Sequence, residues 1–77
     1  MSRKVREFRG LVYTRYDSES DFARALNWPK QKVSRISSGA KEPGLAEIDE
    51  MSPLLGVSPA ELMQIFLRHK SPNEQQN

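Results

Sequence analysis

Between Leu26 and Lys30 the chain has only Asn27-Trp28-Pro29 in which to stop one structural element and begin another. Pro29 biases Trp28 away from the helical region and has no N–H to give to a strand ladder, so neither a helix nor a central strand runs through this point. Asn27 tolerates the left-handed conformation that closes a helix. On both sides apolar residues recur at helical spacing, Phe22, Ala23 and Leu26 before the junction and Val33 and Ile36 after it. The segment therefore predicts two short helices joined by a turn of about three residues and crossing steeply, with Ala23 as the small residue that lets them approach.

The second of these helices is predicted from about Pro29 to Ser37, with Pro29 suited to its first position and Gly39 to its end. Val33 and Ile36 pin it, while Lys30, Gln31, Lys32, Ser34, Arg35 and Ser38 occupy the rest of its surface. Before the junction, Val5, Phe8 and Val12 mark one face of a first helix over about residues 2–15, with Gly10 as its weak point. Ser18 and Asp21 have the form of a reciprocal capping box for the helix that carries Phe22. After it, Leu45, Ile48, Met51 and Leu55 keep helical spacing in a fourth helix, which Pro53 should kink or divide and Gly56 should end. Ser58-Pro59-Ala60-Glu61 is the clearest start signal, with a serine cap, proline at the first position and glutamate at the third, and it opens a fifth helix through Leu62, Ile65 and Phe66 toward His69. No strand-like alternation competes, so the expected fold class is all-α, with five short helices in residues 1–70 and a disordered tail at 71–77.

Charge is unevenly placed along this pattern. Through residue 41 there are ten basic residues against four acidic ones, and from residue 42 onward two basic against six acidic, so a net charge of +2 conceals a cationic first half at +6 and an acidic second half at −4. Such a field attracts and orients a polyanion more strongly than the sum suggests. The chain has no cysteine and one histidine, which excludes disulfides, thiolate chemistry and cysteine or histidine metal centres. No nucleophile–base pair or glycine-rich phosphate loop stands out, so neither catalysis nor a cofactor is expected. MSRKVREF is charged but no apolar region follows it, and no apolar run is long enough for a membrane span, which makes a cytoplasmic protein the expectation.

From Ser18 to Met63 the order of residues, gap-free over about forty-five positions, resembles the phage repressor and Cro (XRE-type) helix-turn-helix family. The pieces that carry the resemblance are F-A-x-x-L-N at Phe22–Asn27, V-S-R-I-x-x-G-x-x-x-P at Val33–Pro43 and L-G-V-S-x-x-E-L at Leu55–Leu62. It implies a compact five-helix lambda-repressor-like DNA-binding domain with its helix-turn-helix at about 18–38. The third helix would enter the major groove of double-stranded DNA, as a homodimer on a pseudo-palindromic operator. Matched position by position, Lys30, Gln31, Ser34 and Arg35 fall where the family reads bases, and Lys32, Ser38, Lys41 and the helix start at Ser18, Glu19 and Ser20 fall where it meets the DNA backbone. The implied function is a transcriptional regulator, most simply a repressor, with a regulatory partner protein as a further expectation. The alternative within the same fold is a protein-interaction module such as an antitoxin or anti-repressor.

Three positions depart from the family pattern. Glu19 stands where glutamine is common, Ser37 stands near a common glutamate that pairs with an arginine of the first helix, and Pro29 replaces a serine or threonine cap. The first sets an acid beside the expected phosphate, the second predicts that the ion pair is missing, and the third predicts a shifted start for the third helix. Plainer roles exist for the same residues. Lys30, Lys32 and Arg35 also suit a solvated helix face, Trp28 a core position, His69 a dipole partner at a helix end, and Glu47, Asp49 and Glu50 a soluble face turned from DNA. Ile65 and Phe66 suit either ordinary packing or a dimer contact, and the dimer is favoured because the fifth helix is more apolar than one side of so small a core can absorb.

Overall fold

Val5, Phe8 and Val12 are all buried, and the helix they belong to, α1, spans Arg6–Arg15. In the computed structural model, residues 4–75 are described, with side chains through His69; α1 starts later than residue 2, and Met1 to Arg3 lie outside the described residues. Four more helices follow: α2 (Glu19–Leu26), α3 (Lys30–Ser37), α4 (Leu45–Leu55) and α5 (Pro59–Gln75), with no strand among the described residues. The described residues thus form an all-helical fold of five helices, in the expected order.

Three of the helices stop by one mechanism. Asn27 (φ 62°), Gly39 (φ 86°) and Gly56 (φ 72°) are the residues with positive φ, and each follows the last turn of α2, α3 or α4. Trp28 N–H reaches back to the Ala23 carbonyl, Ala40 N–H to Arg35 and Val57 N–H to Ser52, the six-to-one bond that satisfies otherwise orphaned carbonyls. At Gly56 the positive φ favours glycine, while the nearest atoms to a β-carbon there belong to the Arg15 guanidinium, the movable end of a long side chain.

The helix starts differ in completeness. At α5 the box is reciprocal: Glu61 N–H donates to Ser58 Oγ and Ser58 N–H to Glu61 Oε1, both at 3.0 Å. At α2 only half of the expected box forms. Asp21 N–H donates to Ser18 Oγ at 3.1 Å, but the aspartate, one methylene shorter than glutamate, turns to Arg24 at 2.7 Å instead. Pro29 sits outside α3 as its cap, with φ −64° and ψ 145°, so α3 begins at Lys30 and not at the proline. Pro53 neither splits nor ends α4, because it lies in the last turn on an exposed side where the carbonyl it leaves unpaired can meet water. Past residue 70, α5 continues to Gln75, so the backbone of 71–75 is helical where a disordered tail was expected, and residues 76–77 lie outside the described residues.

The core is built from all five helices. Phe8 packs against Phe22 of α2 at 6.1 Å and Phe66 of α5 at 5.2 Å between ring centroids, joined by Val12, Val33, Ile36, Ile48, Met51, Leu55 and Leu62. Ile65 and Phe66, favoured above for a dimer contact, are 8% and 7% exposed, so this monomer core already takes them up. The expected surplus of apolar surface on α5 is absorbed because α1 lies along it, and what remains outside is Leu67. Leu45, which shares the helical spacing of Ile48, Met51 and Leu55, is exposed in the first turn of α4.

Candidate nucleic-acid interface

Successive residues of a helix are about 100° apart, and α3 uses that spacing to separate two chemistries. Val33, Ile36 and Ser37 are buried on one side. Lys30, Gln31 and Arg35 are exposed and Ser34 is half-buried on the other, and KQKVSRIS contains no acid. The two helices α2 and α3 pack closely through Phe22, Ala23, Val33 and Ile36, so the polar side of α3 faces outward on a rigid mount. Among the described residues neither Lys30 nor Arg35 has an ion-pair partner.

The mount is tied at its far side by polar bonds that span three helices. Ser37, 1% exposed, donates its hydroxyl to Glu19 Oε2 at 2.8 Å, and Arg9 of α1 lies 3.9 Å from the same oxygen. Val5 N–H adds a backbone bond to the Ser37 carbonyl at 2.9 Å. No acid of α3 pairs with an arginine of α1, as expected from Ser37, and Arg9 instead approaches Glu19 of α2. Glu19 is accordingly turned inward, away from the role of a phosphate contact, whereas Ser18 and Ser20 stay half-buried at the start of α2.

Lys32 and Lys41 are not free cations. Lys32 Nζ is 2.9 Å from Glu47 Oε2 and 4.1 Å from the centre of the Trp28 ring, and Lys41 Nζ is 3.7 Å from Glu47 Oε1. Glu47 in turn accepts Gly44 N–H at 2.8 Å, which caps α4. This backbone bond, followed by the bond from Lys32, holds its carboxyl below the usual value of 4.5. Trp28 is half-buried against the core and donates its indole N–H to Glu50 Oε1 at 3.1 Å. Glu47 and Glu50 thus tie α4 to Lys32 of α3 and to Trp28 in the turn before it, correcting their assignment to a remote solvated face. Sequence spacing does contain one hint, since Glu47 is three residues after Gly44 and is placed to cap α4. Its lysine partners, one on α3 and one in the segment that follows it, are not given by that spacing. Ser38 completes the set, its hydroxyl donating to the Arg35 carbonyl at 3.2 Å.

A concavity of about 660 Å³ opens between the start of α1 and α5, lined by Val5, Ile65, Arg68 and His69 among others, and not on the polar side of α3. A convex helix face is the shape that enters a groove, so this concavity is no part of the candidate interface. No group of three or more His, Asp or Glu side chains that could hold a metal occurs among the described residues, and no helix there is long and apolar enough to cross a membrane. Comparisons with protein-family models, curated proteins and solved structures found no match.

Proposed function

We propose that the protein is a sequence-specific DNA-binding transcriptional regulator, a repressor of phage or mobile-element type that occupies a pseudo-palindromic operator. The reading takes the domain as lambda-repressor-like, of the Cro/XRE kind, with α2 and α3 as its helix-turn-helix. The observation that carries it is α3 itself: an acid-free helix of eight residues, held by a buried side, with Lys30, Gln31 and Arg35 exposed on the other. At about 1.5 Å per residue such a helix is about 12 Å long, close to the width of the B-DNA major groove. Arg35 and Lys30 donate to guanine O6 and N7, Gln31 pairs with adenine N6 and N7, and Ser34 serves either edge. Ser18, Ser20, Ser38, Lys41 and Lys32 position the backbone, with the N–H groups at the start of α2 toward phosphate. Pairing as a homodimer would use exposed Leu67 of α5, since Ile65 and Phe66 are occupied.

The test is an electrophoretic mobility shift on DNA from the region upstream of the gene, at two salt concentrations, beside a scrambled duplex. A discrete complex on the upstream DNA that survives competitor is the expected result. Equal, salt-labile smearing on both duplexes would reduce α3 to a basic surface and favour the protein-interaction alternative.

A further inference from the structure

The Lys32–Glu47–Lys41 cluster sets an acid where the proposed DNA reading places two phosphate contacts. Its carboxylate is held from three directions: Gly44 N–H at 2.8 Å, Lys32 Nζ at 2.9 Å and Lys41 Nζ at 3.7 Å. It cannot swing away without uncapping α4, and its side chain is only 19% exposed. The two ammonium groups therefore meet one fixed negative charge at short range, and the cluster presents a net charge of one in place of two. Lys30 and Arg35, on the base-reading side, carry no such partner among the described residues.

Resting on the DNA-binding reading, we propose that Glu47 is a built-in competitor for DNA phosphate at Lys32 and Lys41, which lowers affinity for every sequence alike. A phosphate oxygen asks of these lysines what the Glu47 carboxylate already receives, a charge-assisted N–H bond. To bind, it must displace the acid from the ammonium groups or share them with it. Because phosphate contacts contain no sequence information, the penalty falls equally on cognate and random DNA. The ratio between the two stays with the four residues that face the bases. Glu47 thus leaves a larger fraction of the protein unbound by arbitrary DNA without altering which base pairs it prefers.

The test compares wild type with Glu47→Gln and Asp49→Asn on labelled duplexes, one of random sequence and one from the upstream region, across about 50 to 200 mM salt. The amide introduced by Glu47→Gln keeps an oxygen for Gly44 N–H, so the cap of α4 survives, and circular dichroism checks that helicity is unchanged. Asp49→Asn makes the same charge change on an exposed position of the same helix, without a lysine partner. The expected result is that Glu47→Gln binds both duplexes about tenfold tighter at low salt, with a log–log salt slope steeper by about one and the ratio between duplexes constant. Asp49→Asn should change either affinity less than about twofold, as expected for a screened charge at a distance. Adding Lys32→Gln to Glu47→Gln should remove most of the gain. Equal tightening by Asp49→Asn, no tightening by Glu47→Gln, or weaker binding by it would overturn the competitor role while leaving the DNA reading intact. Failure of wild type and variants alike to bind any duplex would overturn both.

Discussion

Ser37 of α3 donates its hydroxyl to the Glu19 carboxylate of α2 at 2.8 Å, across the turn that joins the two helices. The same hydroxyl lies 3.2 Å from the Ser34 carbonyl, but its single proton favours the shorter contact with a charged acceptor. The bond fixes the crossing of α2 and α3 from the buried side while their turn fixes it from the other.

Ser37→Ala is expected to lower unfolding stability by about 1.5–3 kcal/mol, the usual range for a hydrogen bond to a charged group, because it leaves a poorly exposed carboxylate with only the distant Arg9. Glu19→Gln keeps an acceptor and should cost less. Urea midpoints with unchanged m values would show it. A smaller effect for Ser37→Ala than for Glu19→Gln would mean that the bond contributes little.

Asn27 closes α2 at φ 62°. Asn27→Gly should be neutral or stabilising by a few tenths of a kcal/mol, while Asn27→Ala should cost about 1 kcal/mol, since a β-carbon without a local polar partner is strained in this region. Thermal unfolding of the pair decides between backbone strain and an unrecognised contact of the asparagine side chain, which would make both variants costly.

Ser52 is 1% exposed, and its hydroxyl has no hydrogen-bond partner. Ser52→Ala removes an uncompensated desolvation and should leave stability unchanged or raise it by about 1 kcal/mol. A loss beyond about 1 kcal/mol would point to a bond made by this hydroxyl in solution.

The Glu47 carboxyl is held below 4.5 by the Gly44 N–H and by Lys32, so its proton affinity is lower folded than unfolded. Its contribution to stability is then complete above the unfolded value and is lost as pH falls through the folded one. Glu47→Gln should flatten the stability profile below about pH 4.5 and leave its shape above that unchanged. Stability curves of wild type and variant that run parallel from about pH 6 to about pH 3 would contradict the shift.

On the proposed DNA-binding reading, Arg35→Ala is expected to cost about 1–3 kcal/mol on a cognate duplex and to relax discrimination at one base pair. Equal weakening on all sequences in a competition assay would assign Arg35 to phosphate.

What could be read from the chain was the chemistry that acts within one turn. Ser18, Ser58, Asn27, Gly39 and Gly56 begin and end helices through their own backbone or through residues three to five positions away, and all five are found in those roles. The two-sided character of α3 was legible for the same reason, because Val33 and Ile36 against Lys30, Gln31 and Arg35 is a matter of helical spacing. Misreadings arose where the outcome depended on the packing of separate helices. Glu19 meets Ser37 across eighteen positions, and Lys32 meets Glu47 from a different helix. Ile65 and Phe66 looked surplus until α1 was laid against them, and Pro53 looked disruptive until its exposed place in the last turn was known.

Trp28, the only tryptophan in the chain, has an ammonium group over its ring at 4.1 Å and a carboxylate at its indole nitrogen at 3.1 Å. The domain therefore has one native indole chromophore, seated at the joint between α3 and α4 and flanked by opposite charges whose displacement would shift its emission in colour and yield. Any partner that draws Lys32 away, and any loosening of α4 from α3, becomes visible in the same optical channel without a dye.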